Sequence, residues 1–269
     1  LKGREMAVFT DLSEADCGRI ATAYRLGSLT SVIGIADGDA ETTYLFRSGR
    51  GEFIVTLFES GAEPFDVERA FQTMETLSGA GIPCPATLRT DVGAATITVA
   101  GKLVAVVGFV PGSRLSEATP GKCHALGTCV ARIHQTLGRS RNRVPLGLPT
   151  GPVHGALNRD NVFFVDEMVS GVINFRFRHN DVLIAELAEV ILHWAVTADG
   201  TLERTLVRAL LAGYEDIRSL NEAEWRAVSA FVMAAAATVF ARDGRLTDLE
   251  AATQRVFLSA KNCIEEIRP

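Results

Sequence analysis

Residues 13–26 (SEADCGRIATAYRL) set apolar side chains at helical spacing behind a serine able to cap the first turn and a carboxylate within it, which predicts a helix. The period then drops to two. SLTSVIGIADGD and TTYLFRSGRGEFIVTLFE alternate as strands, broken at Gly38 and at the Ser-Gly-Arg-Gly turn of residues 48–51. Helical spacing returns over 65–80, opening with Asp66 and closing with Gly79-Ala80-Gly81, and Pro83 and Pro85 bar its continuation. Residues 95–108 supply two more strands about Ala100-Gly101. The expectation is a five-stranded sheet with one main helix in residues 1–108.

FVPGSR (109–114) breaks this pattern and reads as a hinge. Beyond it the spacing is helical over 119–138, 180–197, 201–217, 221–242 and 246–266. Short strands at 162–165 and 169–174 form a hairpin directly after HGALNRDN. The predicted fold class is α+β, on the two-lobed plan of protein kinases. A small antiparallel β-lobe fills 1–108, and a mostly helical lobe fills 115–269, carrying the loop 154–161 and the hairpin 162–174.

Composition narrows the partners. At 269 residues and 47% apolar, the chain can bury a sizeable core. A net charge of −5, with no long block of like charge, argues against nucleic acid or an anionic membrane. The cysteines at 17, 84, 123, 129 and 263 make no CxxC pair, and the histidines make no HxxxH or HExxH pattern. That usage fits a reduced, cytoplasmic setting rather than a disulfide or metal framework. The longest apolar run, VSAFVMAAAATVFA (228–241), is short for a bilayer span and is expected to be a core helix. No secretory pattern is found, and Met6 is the expected natural start.

The stretch HGALNRDNVFF (154–164), followed by GVINF (171–175), resembles the catalytic loop and metal-binding segment of the aminoglycoside phosphotransferase/choline kinase superfamily, and within it the bacterial homoserine kinases. MAVFT, GIADG, RGEFIVTLFE, GIPCP and LLAGYEDIRSLNEAE extend the likeness over most of the chain. The family's loop reads H-x-D-x-x-x-x-N and its later segment I-D-F or I-D-W. By position, His154 and Asn161 match. The aspartate that orients and deprotonates the acceptor hydroxyl falls on Ala156, and the aspartate that holds Mg²⁺ against the nucleotide phosphates falls on Asn174.

Both absences have a chemical cost. A missing general base lowers such a rate by ~10²–10⁴-fold. Mg²⁺ demands hard anionic oxygens in a near-ideal octahedron, and Asn161 and Asn174 offer neutral amide oxygens as vestigial ligands. Glu41 would set a negative charge where the family's phosphate loop lies. VPLGLPTGPVHG also runs into the loop without the helical segment that relatives insert there. Thr56 stands at the usual kinase lysine position, as homoserine kinases also have it. Gly38, Thr42, Thr43 and Thr56 mark the former nucleotide side.

Other side chains have two readings. His154 is an acid/base candidate or, in the favoured reading, a brace for the loop. Asp160 is a substitute base or a turn residue, and Glu186 a helix residue with a buried partner. Arg176 and Arg178, on one side of an extended FRFRHN, would clamp a carboxylate or phosphate, or replace the metal's charge by pairing with Glu41 or Asp160. His193-Trp194 would line a ligand pocket or sit in the core. The expectation is a kinase-fold protein that binds Mg-ATP weakly or not at all and acts by binding a small molecule or protein partner. An enzyme reusing the cleft on an amino-acid-like metabolite through His154, Asp160, Glu41, Arg176 and Arg178 is the rival, and a slow homoserine kinase ranks last.

Overall fold

The structure, a computed structural model, describes residues 10–35, 40–114, 117–138, 147–197, 200–242 and 249–268. Gly38 and residues 246–248 lie outside the described residues. Two compact units emerge: Leu1–Ser78 with Cys84–Val110, and Gly79–Pro83 with Pro111–Pro269.

The first unit begins with α1 (Glu14–Ala23). Ser13 and Asp16 cap it reciprocally, each side chain accepting the other's backbone N–H at 3.1 Å. Then come β1 (Leu29–Ile35), β2 (Glu41–Ser48), β3 (Gly51–Phe58), α2 (Pro64–Gly79), β4 (Thr96–Val99) and β5 (Lys102–Gly108). The five strands form one antiparallel sheet in the order β1-β2-β3-β5-β4. Ala100 and Gly101 both adopt positive φ, the backbone of a tight two-residue hairpin, so alanine sits where asparagine or glycine is usual. Helix α1 lays Cys17, Ile20 and Tyr24 on Tyr44, Phe46, Val55 and Leu57.

Cross-strand partners share a face, so Thr43 goes with Thr56 on one side and Thr42 with Leu57 on the core side. Thr42 is buried, donates to Glu59 at 2.6 Å and accepts the Thr10 N–H at 3.2 Å. Its assignment to the nucleotide side is therefore corrected: strand alternation aims it inward. Glu59 also meets Lys102 at 2.8 Å. Burial opposes its charge, but the bonds from Lys102, Thr10 and Thr42 prevail and hold the carboxyl at about 2.

The second unit holds α3 (Pro120–Leu137), β6 (Thr150–Val153), β7 (Val162–Val165), β8 (Met168–Val172), β9 (His179–Val182), α4 (Leu183–Ala195), α5 (Arg204–Glu215), α6 (Glu222–Arg242) and α7 (Leu249–Ile267). The β6–β9 ladder corrects the expected helix at 180–197, whose first residues are strand. Gly151 and Pro152 disguise β6 as loop, and Pro is tolerated because this pair has only edges. The hairpin is β7–β8, ending at Val172 rather than residue 174. Helix α4 is apolar all round and correspondingly buried. Helix α6, 21 residues, is long and apolar enough to cross a membrane by length and composition. It packs on α4 and α7, burying Trp225, Val228, Val232 and Ala236.

Helices α3 and α5 cross at glycines. A Cβ on Gly127 would lie 2.0 Å from the Leu210 carbonyl oxygen, and one on Gly213 would lie 2.0 Å from that of His124. Both obstacles are backbone, so neither can yield. Gly127→Ala and Gly213→Ala should each destabilise the protein by about 3 kcal/mol, read as a lower urea midpoint, whereas Gly79→Ala, with open space around its Cβ, should not.

Candidate functional site

The residues from His154 to Asn174 are held by a small number of backbone-directed bonds. His154 is buried, and its Nε2 lies 2.8 Å from the Ile173 carbonyl oxygen while Nδ1 accepts the Ala156 N–H at 3.2 Å. A carbonyl can only accept, so Nε2 carries the proton and Nδ1 is bare: the ring is neutral and its tautomer fixed. The edge of Phe175 closes on it at 4.7 Å between centroids. Burial depresses the His154 pKa, and Glu186 and the Ile173 carbonyl offset this only in part.

Asn161 donates its side-chain amide to the Ala156 carbonyl at 2.9 Å, and its own carbonyl accepts the Ile173 N–H at 3.0 Å. Asn174 adopts the left-handed conformation, φ 72°, ψ 43°, which asparagine and aspartate tolerate better than other non-glycine residues. Four of the expected site positions, His154, Ala156, Asn161 and Asn174, are thus brought together around Ile173.

Beneath the loop runs a chain of bonds of which the sequence indicated only Glu186, as a helix residue with a buried partner. Glu186, on α4, accepts the Gly155 N–H at 2.6 Å and faces His134 Nε2 of α3 at 2.8 Å. His134 Nδ1 is 2.7 Å from the Tyr214 hydroxyl, which accepts from Arg218 at 2.9 Å. Arg218 also pairs with Glu224 at 2.7 Å, and Glu224 and Asn221 cap the start of α6 reciprocally. Arg218 donates to the Tyr214 hydroxyl, the ionised Glu186 accepts from His134 Nε2, and the Tyr214 hydroxyl and His134 Nδ1 join the two ends. Glu186 is fully buried, and burial works against its charge, yet the bonds from His134 and the Gly155 N–H hold its pKa below the usual carboxylate range. For the rest, a histidine on the apolar stripe of α3, four residues beyond Val130, was the one signal available.

A model of the phosphotransferase enzyme family matches residues 31–143 and 139–222. The chain belongs to this family. It is 33% identical over 275 residues to the homoserine kinase of Gluconacetobacter diazotrophicus, covering 86% of this chain and 86% of that protein. The homoserine kinase of Azorhizobium caulinodans is 30% identical over 273 residues, covering 86% and 85%. Among solved structures, an aminoglycoside phosphotransferase from Alicyclobacillus acidocaldarius superposes with a TM-score of 0.71 at 12% identity, over 97% of this chain and 99% of that one. A microcompartment-associated aminopropanol kinase gives 0.62 at 15% identity, over 87% and 90%. The chain is a homoserine kinase-like phosphotransferase-family member with a protein-kinase-like α+β fold.

Against that family background, the donor set does not suit a divalent cation. Asn161 and Asn174 offer neutral amide oxygens, where Mg²⁺ prefers anionic ones. The remaining expected residues are placed as follows. Asp160 is exposed in a turn where its N–H meets Asn158 at 3.0 Å. The reading of Arg176 and Arg178 on one extended strand is corrected: Phe175–Phe177 is a 3-10 turn, closed by the Arg178 N–H on the Phe175 carbonyl at 3.2 Å. Trp194 is also corrected, from ligand wall to core: it is 1% exposed, with its indole donating to the Leu157 carbonyl at 3.0 Å. His193 is half-buried, and burial and Arg159 depress its pKa against a smaller opposing effect of Asp160. Glu41, Thr43 and Thr56 are half-buried in the other unit.

The histidines set an acid limit. An unfolded histidine takes up a proton near 6.5, whereas folded His154 and His193 resist it. Stability is therefore full above pH 6.5 and falls as pH drops through the depressed folded values, by at most ~1.4 kcal/mol per pH unit for each histidine. Glu186, also depressed, adds to the loss below its ordinary 4.5. Urea midpoints measured from pH 7 to 5 should fall, and His154→Asn should show a shallower fall over that range.

Proposed function

We propose that this chain retains the phosphotransferase frame without Mg-ATP phosphoryl transfer, and works in the cytoplasm by binding a small-molecule ligand or a protein partner. The observation that carries this reading is the pairing of an ordered loop with absent carboxylates. His154, Asn161 and Asn174 hold the backbone as a working loop would need it, yet Ala156 has no atom to take a proton and Asn174 no charge to hold a metal. Phosphoryl transfer depends mainly on positioning and neutralising charge. Here positioning survives and neutralisation does not. The net charge of −5 keeps nucleic acid and anionic membrane as disfavoured partners.

Slow homoserine phosphorylation is the second reading, favoured by the 30–33% identity to homoserine kinases over 86% of the chain. Two measurements separate the readings. Millimolar ATP with magnesium should leave the melting temperature unchanged, because a ligand that does not bind the folded state cannot stabilise it; a magnesium-dependent rise would overturn the proposal. Labelled phosphate from γ-labelled ATP should not reach homoserine with the purified chain, and transfer even at ~10²–10⁴-fold below the ordinary kinase range of about 1–100 per second would establish the second reading.

A further inference from the structure

A groove of about 1000 Å³ lies in the first unit, between the flank of α1 and strand β1. Gly18, Ala21, Thr22 and Arg25 form the helical wall, one turn above another, with Glu14 at its start. Five consecutive residues, Ser28–Val32, form the other wall. The β1–β2 register shifts between Leu29 and Ser31, and this irregularity lets consecutive residues of β1 line the groove. Among the described residues the outer edge of β1 is unpaired: β1 is the terminal strand, bonded to β2 on one side only. Val32 is 40% exposed there.

Three features fit this groove to a ligand with negative charge. Of the described arginines in this unit, Arg19, Arg47, Arg69 and Arg89 each pair with a carboxylate. The two without such a partner among the described residues, Arg25 and Arg50, both line the groove. Arg50 is also fixed in place, donating to the Arg25 carbonyl at 2.6 Å with its stem beside Gly27. Arg25 itself ends α1 in the left-handed conformation, φ 55°, where glycine is the usual residue and a side chain costs about 1 kcal/mol. Finally, Gly18 weakens the middle of α1 by about 1 kcal/mol relative to alanine, although a Cβ there would meet nothing within 4 Å. Packing within the chain does not require that glycine, and an approaching ligand backbone would.

We propose that this groove docks an extended acidic segment of a partner protein, added as a sixth strand to the edge of β1. Main-chain bonds to β1 supply register, small side chains fit against Gly18 and Ala21, and a carboxylate near one end meets Arg25 and Arg50. The site is independent of phosphoryl transfer and stands whichever reading of that chemistry holds.

The test uses the full chain and a fluorescein-labelled octapeptide of alternating valine and threonine ending in two glutamates, beside a copy ending in two lysines. Fluorescence anisotropy should show saturable binding of the acidic peptide, weakened about tenfold or more for the lysine copy. Gly18→Trp, which has room to fold and fills the groove, should abolish binding, and Arg25→Glu should weaken it comparably. Hydrogen exchange should slow in residues 29–35 when the acidic peptide is present. Absence of binding, or binding unchanged in Gly18→Trp, would overturn the proposal. So would a dimer of the chain in sedimentation that Gly18→Trp dissociates, since the occupant would then be a second copy.

Discussion

A carboxylate with no access to water governs the second unit. Glu186 is fully buried, and an uncompensated charge at such depth costs several kcal/mol. It is satisfied by one backbone N–H from the loop and one histidine, and that histidine is fixed by a tyrosine and an arginine in turn. Helices α3, α4, α5 and the start of α6 are thereby tied to residue 155. A helix shift that pulled Glu186 from Gly155 would strand a charge, so the loop's position is set by the core and not by any ligand. The close crossing of α3 and α5 at Gly127 and Gly213 serves the same end, since it brings His134 and Tyr214 within 2.7 Å.

This arrangement makes the loop's backbone independent of a carboxylate at 156 or 174. What residue 156 gives the loop is its backbone: an N–H to His154 and a carbonyl to Asn161. An aspartate and an alanine supply these equally. At 174 the requirement is a left-handed backbone, for which asparagine and aspartate are both suited. The side chains at 156 and 174 and the backbone that holds the loop are separable. Family membership therefore transmits the fold to this chain more securely than it transmits the activity.

Much of this was legible in the residues because the local rules agree with one another. Ser13 and Asp16 announce the start of α1, Thr119-Pro120 that of α3, and the alternation of TTYLFRS and EFIVTLF announces the sheet. The motif fixed the identity of the loop. What stayed hidden depends on partners distant in sequence. The β6–β9 ladder joins residues 150–153 to 179–182, and β6 contains a glycine and a proline that mimic a loop. Thr42 and Thr43 are adjacent and look alike, yet the pleat sends one into the core and leaves the other half-buried. His134 lies 52 residues from Glu186 and 80 from Tyr214, so no local pattern marks their union. The extended reading of Arg176 and Arg178 failed for a local reason: the left-handed Asn174 turns the chain directly into a 3-10 coil.

The sheet of the first unit keeps its two faces for different purposes. Val32 is paired with Phe46, and Phe46 lies in the core beneath α1, so the open groove is on the α1 face. Thr43 and Thr56 lie on the opposite face, the side that the kinase resemblance assigns to nucleotide. A strand added to β1 would extend the sheet without covering Thr43 or Thr56. Helix α1 is anchored independently of that face through Tyr24, whose hydroxyl lies 2.9 and 3.0 Å from the carbonyls of Ala95 and Val104. A helical glycine with nothing packed against it costs stability and solves no packing problem inside the chain. It lines the same groove as Arg25 and Arg50, where the proposed acidic strand would meet all three.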